Sequence, residues 1–302
     1  MGEGIPILIF LSHRAFCAIM PSIEISRVAH TYDFLPARSP ANAPVLVLIH
    51  GWLMSRQYWQ PIVEELASDY SCLCYDLRGF GDSCKTNPDR ADYSLNSYAQ
   101  DLISLLEKLD IKEAWLVGHS LGGSIALWGA KSCSERVRGV ICLNAGGGVY
   151  LKEEFDRFRQ AGQQLIKYRP QWLPYVPLID FLFARAMVAT PLPRRWGRQR
   201  VIDFVKADAV AAVGSLLEST TEAEVHQLPQ LVSQLQQPVY FIAGEKDLIM
   251  EPKYVGHLAS FHYLFQCRGD NLIEISNCGH LSMVEQPQEV SQILKDILAK
   301  NQ

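Results

Sequence analysis

The fold is decided by residues 114–123, which read AWLVGHSLGG. The four apolar residues at the start predict a β-strand, and the sequence from Ser124 onward is typical of a helix. Gly118 and Gly122 lie two residues before and two residues after Ser120, where they leave room for a sharp turn between strand and helix. A serine at such a turn is held in a strained backbone conformation with its hydroxyl exposed. The pattern therefore predicts Ser120 as a nucleophile.

Other apolar segments predict further strands of the same sheet. Residues 45–49, VLVLI, form an uninterrupted branched apolar run, which is typical of a parallel strand covered on both faces. Residues 28–35 alternate and predict an edge strand. The remaining predicted strands include residues 71–75, 137–143, 239–243 and 272–275. Because helical periodicity separates the strands, as in residues 95–109, the chain predicts an α/β fold with a doubly wound, mostly parallel sheet.

The alternation of strands and helices is interrupted between residues 147 and 237. This stretch of roughly 90 residues predicts a helical cap inserted after the sixth strand. The core of the α/β domain would then consist of residues 20–146 and 238–302. Residues 1–19 lack the basic start of a secretory signal, and we expect them to be a disordered extension or the product of a misannotated start.

The composition is that of an ordinary globular protein, with 48% hydrophobic and 20% charged residues. The net charge of -4 gives no reason to expect nucleic-acid binding. No segment reaches the roughly 18 continuous apolar residues of a membrane span. The eight cysteines are scattered, without a CxxC pair or a cluster with histidine, which indicates free thiols in a reducing compartment. We therefore expect a cytoplasmic protein that needs neither a metal nor a cofactor, and the sequence leaves its oligomeric state open.

Three residues that could form a catalytic triad each follow a predicted strand. Ser120 ends the sequence GHS at the sharp turn between strand and helix, which we call the elbow. Asp247 ends the turn GEKD, and His280 ends the loop NCGH. The carboxyl ends of parallel strands meet at one edge of a sheet, so these side chains are expected to lie together. A serine hydroxyl is a weak nucleophile at neutral pH, so His280 would take its proton and later return it to the leaving group. Asp247 would hold the imidazole in the right tautomer and stabilise its charged form.

The order serine, aspartate, histidine and the elbow sequence resemble the α/β-hydrolase superfamily over roughly residues 25–300. The similarity is to its serine-nucleophile branch of capped esterases and carbon–carbon bond hydrolases. It implies an oxyanion hole formed by the backbone N–H groups of Leu121, directly after the nucleophile, and of Trp52, which follows a His-Gly pair. Some relatives carry the acid after the preceding strand. This chain has Asn144 there, which favours Asp247.

Several polar residues near these motifs are expected to support the site rather than to react. His119 is next to the nucleophile, but a neighbour on the elbow points away from it, and His50 would organise its own loop. Residues 76–83, DLRGFGDS, resemble a loop of the superfamily in which Asp76 and Arg78 pair with nearby backbone or charge. The alternative is that Arg78 holds a carboxylate of the substrate.

The predicted cap is rich in apolar residues, and some of them are expected to line a tunnel for an acyl, prenyl or aromatic group. The candidates for substrate contact are Trp52, Trp172, Tyr175 and Phe181. Trp196 is surrounded by Arg194, Arg195, Arg198 and Arg200. This basic stretch fits either a solvated helix or peripheral contact with an anionic membrane surface.

The resemblance implies a serine hydrolase that cleaves a carboxylic ester of a lipophilic small molecule through an acyl-enzyme. The same triad could instead hydrolyse a carbon–carbon bond. It could also perform the elimination reaction of the 2-succinyl-6-hydroxy-2,4-cyclohexadiene-1-carboxylate synthases. Those synthases normally have an arginine where this chain has Ser124. An esterase similar to the chlorophyll dephytylases and a ligand receptor without catalysis are further alternatives. Epoxide hydrolase and haloalkane dehalogenase chemistry is disfavoured because those relatives carry aspartate at the position of Ser120.

Overall fold

The structure is a computed structural model that describes residues 21–38, 43–85, 92–146, 152–267 and 269–301. The strands are β1 (Ser22–Ile25), β2 (Val28–Leu35), β3 (Val45–Ile49), β4 (Cys72–Tyr75), β5 (Ala114–His119), β6 (Val137–Leu143), β7 (Val239–Gly244) and β8 (Leu272–Ile275). They form one eight-stranded sheet in the order β1-β2-β4-β3-β5-β6-β7-β8. Strands β3 to β8 are parallel to one another, and β1 and β2 complete the sheet in antiparallel fashion. The prediction of a mostly parallel α/β sheet is confirmed.

The edge of the sheet differs from the expectation. Strand β2 was predicted at the edge, but β1 pairs with it on the outer side. The two strands are joined by Ser26 and Arg27, which have φ angles of 51° and 64°. Two-residue hairpin turns of this kind usually carry Asn or Gly at these positions. Because Ser26 and Arg27 are not typical residues of such a turn, the sequence does not indicate a hairpin, and β1 was not predicted.

Helices cover both faces of the sheet, as a doubly wound fold requires. They are α1 (Gln60–Leu66), α2 (Leu95–Lys108), α3 (Leu121–Ser132), α4 (Lys152–Lys167), α5 (Ile179–Phe183), α6 (Arg194–Lys206), α7 (Ala209–Ser219), α8 (Glu222–Gln234), α9 (Pro252–Ala259), α10 (Tyr263–Gln266), α11 (Ser282–Glu285) and α12 (Pro287–Lys300). On one face Val47 belongs to the same buried cluster as Leu102 of α2. On the other face Leu48 is buried with Ile62 of α1 and Leu294 of α12. Successive residues of β3 thus serve opposite cores, which explains the uninterrupted apolar run.

Helices α4 to α8 lie between β6 and β7, so they follow the sixth strand of the chain. We call residues 152–234 the helical insertion. Trp52 and Ser55, in the loop after β3, each donate a side-chain hydrogen bond to the insertion. Trp52 Nε1 donates to the carbonyl oxygen of Ala212 at 2.8 Å, and Ser55 Oγ donates to Asp203 Oδ2 at 2.9 Å. The insertion therefore contacts the core beside the carboxyl edge of the parallel strands.

Two of the predicted boundaries fall on residues outside the described ranges. Residues 1–19, predicted as an extension, lie there, as do residues 147–151 at the start of the predicted cap. Within the described ranges, the seven cysteines are free thiols, and no helix has both the length and the apolar character needed to cross a bilayer.

Candidate active site

Ser120 lies at the turn between β5 and α3 and has φ 51° and ψ -120°. This combination is outside the regions that a residue with a side chain prefers, so the backbone is strained as the sequence predicted. A Cβ atom on Gly118 would lie 2.2 Å from the carbonyl oxygen of Gly122, and one on Gly122 would lie 2.4 Å from that of Ile49. Both glycines are therefore required, because the turn packs backbone against backbone at the end of β3.

His280 and Asp247 form a buried hydrogen-bonded pair. His280 Nδ1 donates to Asp247 Oδ2 at 2.8 Å. The other carboxylate oxygen, Oδ1, accepts hydrogen bonds from the backbone N–H groups of Ile249 at 2.8 Å and Met250 at 3.0 Å. Burial alone would raise the pKa of Asp247, but the charge and hydrogen bond of His280, together with these N–H groups, lower it to about 2. Asp247 is ionised at neutral pH and fixes the proton of His280 on Nδ1, so Nε2 is free to accept one.

Asn144 joins the end of β6 to this pair. Its Nδ2 donates to Asp247 Oδ2 at 2.9 Å and to the carbonyl oxygen of Gly279 at 3.0 Å. Its Oδ1 accepts a hydrogen bond from Ser282 Oγ. The side chain thereby links the loops that carry Asp247 and His280. The sequence indicated only that this position lacks a carboxylate, and it did not suggest a role for the amide.

The backbone of His280 is held at both of its polar groups. Its N–H donates to the carbonyl oxygen of Met187, in the helical insertion, at 2.9 Å. Its carbonyl oxygen accepts a hydrogen bond from His119 Nε2 at 2.7 Å. Burial lowers the pKa of His119 to about 3, and the neighbouring His280 acts in the same direction, so His119 is neutral. The position of His119 agrees with the expected supporting role.

His50 and the loop at residues 76–83 also have contacts of the expected kind. His50 Nε2 accepts a hydrogen bond from the N–H of Leu77 at 2.9 Å, which connects two loops. Asp76 is fully buried and accepts from Arg56 Nη1 at 2.5 Å. Arg78 Nε lies 3.1 Å from Asp101 Oδ2, and Arg78 is fully buried away from the cavity described below. This position does not support the alternative in which Arg78 holds a substrate carboxylate.

Ser120 and His280 both line one cavity of about 630 Å³ between the sheet and the helical insertion. This volume lies within the range of small-molecule sites, roughly 300–1,000 Å³. Its apolar lining includes Trp52, Leu53, Met54, Phe158, Leu165, Leu182, Phe183, Met187, Phe204, Leu216, Leu228, Ile249 and Met250. Ser124, four residues after the nucleophile, lies in the same wall. The nucleophile candidate and the base candidate thus open into a space with mostly apolar walls.

The two residues predicted to form the oxyanion hole, Trp52 and Leu121, also line this cavity. Leu121 is the first residue of α3, directly after the nucleophile. A Cβ atom on Gly51 would lie 3.1 Å from the Cβ atom of Ser120, so the chain just before Trp52 passes beside the nucleophile. Both backbone segments are therefore adjacent to Ser120, as the prediction requires, and their role as donors stays a prediction.

The choice of Trp172, Tyr175 and Phe181 as substrate contacts is corrected by the structure. None of the three lines the cavity. Trp172 is 63% exposed and Tyr175 is 86% exposed, on the outer side of a 3₁₀ turn at Leu173–Tyr175. The ring of Phe181 lies 4.3 Å from the guanidinium carbon of Arg194. Apolar density in the sequence identified this segment, but it could not indicate which side chains turn inward. Of the four candidates, Trp52 alone lines the cavity among the described residues.

The sequence also did not place Arg200 in this cavity. Arg200 is the single lysine or arginine among the described residues that line it. Its Nη1 donates to the carbonyl oxygens of Phe183 at 2.5 Å and Ala186 at 2.6 Å. Burial lowers its pKa, and the charges of Tyr58 and Glu285 act in the opposite direction. Arg200 is therefore a half-buried cation in an apolar wall, held by two backbone carbonyl groups.

Comparison with known proteins identifies the family. Residues 46–293 match the model of the alpha/beta hydrolase family. A 2-succinyl-6-hydroxy-2,4-cyclohexadiene-1-carboxylate synthase of Yersinia pseudotuberculosis is 32% identical over 209 residues, 68% of this chain and 72% of that protein.

Two solved structures are similar in fold. An esterase from Thermogutta terrifontis has a TM-score of 0.71 at 20% identity and covers 93% of this chain and 97% of its own. A bromoperoxidase from Bacillus anthracis has a TM-score of 0.75 at 18% identity and covers 90% of this chain and 96% of its own. The sheet, the elbow and the family match together establish that the chain belongs to the α/β-hydrolase family.

Proposed function

We propose that this protein is a serine hydrolase that cleaves carboxylic esters of lipophilic molecules through an acyl-enzyme. The observation that carries the proposal is the meeting of Ser120, on its strained turn, and the His280–Asp247 pair at one apolar cavity. Hydrolase-family membership supports the reaction class. The apolar lining supports a substrate with an alkyl or aromatic group.

In the proposed mechanism, His280 Nε2 takes the hydroxyl proton of Ser120 as the oxygen attacks the ester carbonyl carbon. The negative charge on the carbonyl oxygen would be stabilised by the backbone N–H groups of Trp52 and Leu121. Collapse of the tetrahedral intermediate breaks the bond to the alcohol, which leaves with the proton from His280. A water molecule then gives a proton to His280 and attacks the acyl carbon. As the bond from that carbon to Ser120 Oγ breaks, His280 returns the proton to Oγ, and the acid is released. Asp247 stabilises the charged imidazole in both steps.

The test is hydrolysis of p-nitrophenyl esters from acetate to laurate, below the concentration at which they form micelles. If the acyl group enters the apolar cavity, kcat/KM should rise with chain length by up to about fourfold per buried CH2 group. Ser120→Ala, purified in parallel, should show no turnover on any ester. Turnover by this variant at the wild-type rate would contradict the nucleophile assignment, and a preference for acetate would contradict the lipophilic substrate.

Arg200 supports a second candidate, in which the same triad acts on a substrate that carries an anionic group. A half-buried guanidinium in a cavity wall is a favourable partner for a carboxylate. The Yersinia relative is itself named for a carboxylate, although this chain has Ser124 where such synthases normally have arginine. Slow turnover of every neutral ester, together with covalent labelling of Ser120, would favour this candidate over the first.

A further inference from the structure

The surface beside the cavity is apolar to an unusual degree. Eight large apolar side chains in the described ranges are more than half exposed, and six of them lie within eighteen residues of the helical insertion. We call these six the apolar rim: Leu165, Tyr168, Trp172, Tyr175, Leu178 and Leu182. Soluble monomers seldom expose so many large apolar groups in one region without a partner that covers them.

The apolar rim is continuous with the mouth of the cavity. Leu165 of α4 and Leu182 of α5 are 51% and 68% exposed, yet both also line the cavity of Ser120. They therefore mark its opening. The turn at Leu173–Tyr175, which directly follows Trp172, packs against α6 and against α5, the helix that carries Leu182.

The same part of the chain has an excess of positive charge, although the whole chain is acidic. Residues 157–206 contain ten arginines and lysines but only two carboxylates, a net charge of +8, whereas the whole chain carries -4. The rest of the chain therefore has a net charge of -12. Of the two carboxylates, Asp180 is paired with Arg194 and Asp203 is buried. The exposed cations in this stretch are Arg157, Lys167, Arg185, Arg194, Arg195, Arg198 and Lys206, of which Lys206 is paired with Asp82.

We propose that this face of the insertion docks on an anionic lipid bilayer, with the cavity mouth toward the membrane. Trp and Tyr side chains prefer the interface between headgroups and acyl chains, and the aliphatic members of the rim can enter it beside them. The exposed arginines then meet the lipid phosphates. The excess of positive charge in residues 157–206, in a chain that is otherwise acidic, gives this part of the insertion a preference for an anionic membrane. Docking in this orientation lets a lipid pass from the bilayer through the Leu165–Leu182 opening toward Ser120.

The proposal does not depend on ester hydrolysis, so its test can be separated from that of the activity. The full-length protein is sedimented with vesicles of phosphatidylcholine alone and with vesicles containing 30 mol% phosphatidylglycerol, roughly the charge of an anionic membrane. We expect binding to the anionic vesicles, reduced by salt. Ser120→Ala should bind as the wild type does, because the hydroxyl takes no part in docking.

Two double variants test the two components of the surface. Arg195→Gln/Arg198→Gln should weaken binding about 30-fold, since each cation near an anionic surface contributes about a fivefold preference. Trp172→Ala/Tyr175→Ala should weaken it on the order of tenfold at unchanged charge. The matched controls lie on the core: Lys112→Gln/Lys131→Gln removes the same charge, and Tyr263→Ala removes an exposed ring. Both controls should bind normally.

Several results would overturn the proposal. It would not stand if the protein bound no vesicles, bound neutral and anionic vesicles equally, or lost as much binding in the controls as in the two surface variants. It would also be overturned if light scattering showed a dimer that Trp172→Ala/Tyr175→Ala converts to a monomer, because the rim would then be covered by a second copy of the chain.

Discussion

Asn144 donates a hydrogen bond of 2.9 Å to the same oxygen of Asp247 that accepts from His280. The amide therefore fixes the position of the carboxylate and satisfies its remaining lone pair. Asn144 has φ 47°, a conformation that asparagine and aspartate tolerate better than most residues. The end of β6, where some relatives carry the catalytic acid, carries Asn144, which positions the candidate acid Asp247.

Asn144→Asp should lower kcat about 10- to 100-fold and leave KM nearly unchanged. The substitution keeps a residue that tolerates the backbone conformation, but it replaces a donor to Asp247 with a second carboxylate. Loss of a hydrogen bond to a charged group typically costs about 1.5–3 kcal/mol. Steady-state kinetics on a p-nitrophenyl ester gives the two constants. A rise in KM with kcat unchanged would mean that Asn144 contacts substrate rather than the acid.

Asp247→Asn should lower kcat by roughly 10⁴-fold while the protein stays folded. An amide at this position can donate to Nδ1 of His280, which places the imidazole proton on Nε2. Because Nε2 then carries a proton, it can no longer accept the proton of Ser120. Circular dichroism would verify the fold and ester hydrolysis would measure the rate. Activity within tenfold of wild type would place the catalytic acid at another residue.

Asp203 should make the stability of the protein fall as the pH rises. Burial raises its pKa to about 7, from an ordinary value of 3.8. Between these values the folded state binds more protons than the unfolded state, so the free energy of unfolding decreases with increasing pH. Asp203→Asn removes this dependence, and the variant should gain on the order of 3 kcal/mol relative to wild type between pH 4 and pH 8. Urea unfolding of both proteins at the two pH values measures this gain. The prediction would be contradicted if the free energy of unfolding changed equally with pH in the variant and in the wild type.

Arg200→Gln should change selectivity between charged and neutral substrates. The expected loss in kcat/KM is about 10- to 100-fold for the monoanion p-nitrophenyl hemisuccinate, and less than about threefold for p-nitrophenyl butyrate. Arg198→Gln is the matched control, because Arg198 lies on the same helix, is exposed and does not line the cavity. Equal losses on both esters in Arg200→Gln would indicate a structural role through the carbonyl groups that it holds.

The parts of the fold that could be predicted from the sequence have local causes. The turn at Ser120 is specified by two glycines and the flanking periodicity, and the apolar run of β3 follows from cover on both faces. That Asp247 and His280 lie together could be predicted because each follows a strand, and parallel strands bring their carboxyl ends to one edge of the sheet.

The features that were missed depend on contacts between distant residues. Arg200 reaches the cavity wall because α6 packs on α5, which no local pattern indicates. Asn144 acquires its role from loops more than one hundred residues later in the chain. Trp172 and Tyr175 are exposed because of how the short 3₁₀ turn at Leu173–Tyr175 packs on the insertion. Apolar composition does not indicate the direction of a ring, so the sequence could not predict this exposure.

The central claim is that Ser120 is a nucleophile activated by His280, and covalent labelling tests it most directly. The folded protein is incubated with a fluorophosphonate, and the modified peptide is identified by mass spectrometry. We predict a single adduct on Ser120, formed far more slowly in Asp247→Asn and absent in Ser120→Ala. Esters hydrolysed without labelling of Ser120, or an adduct on another residue at the same rate, would contradict the account.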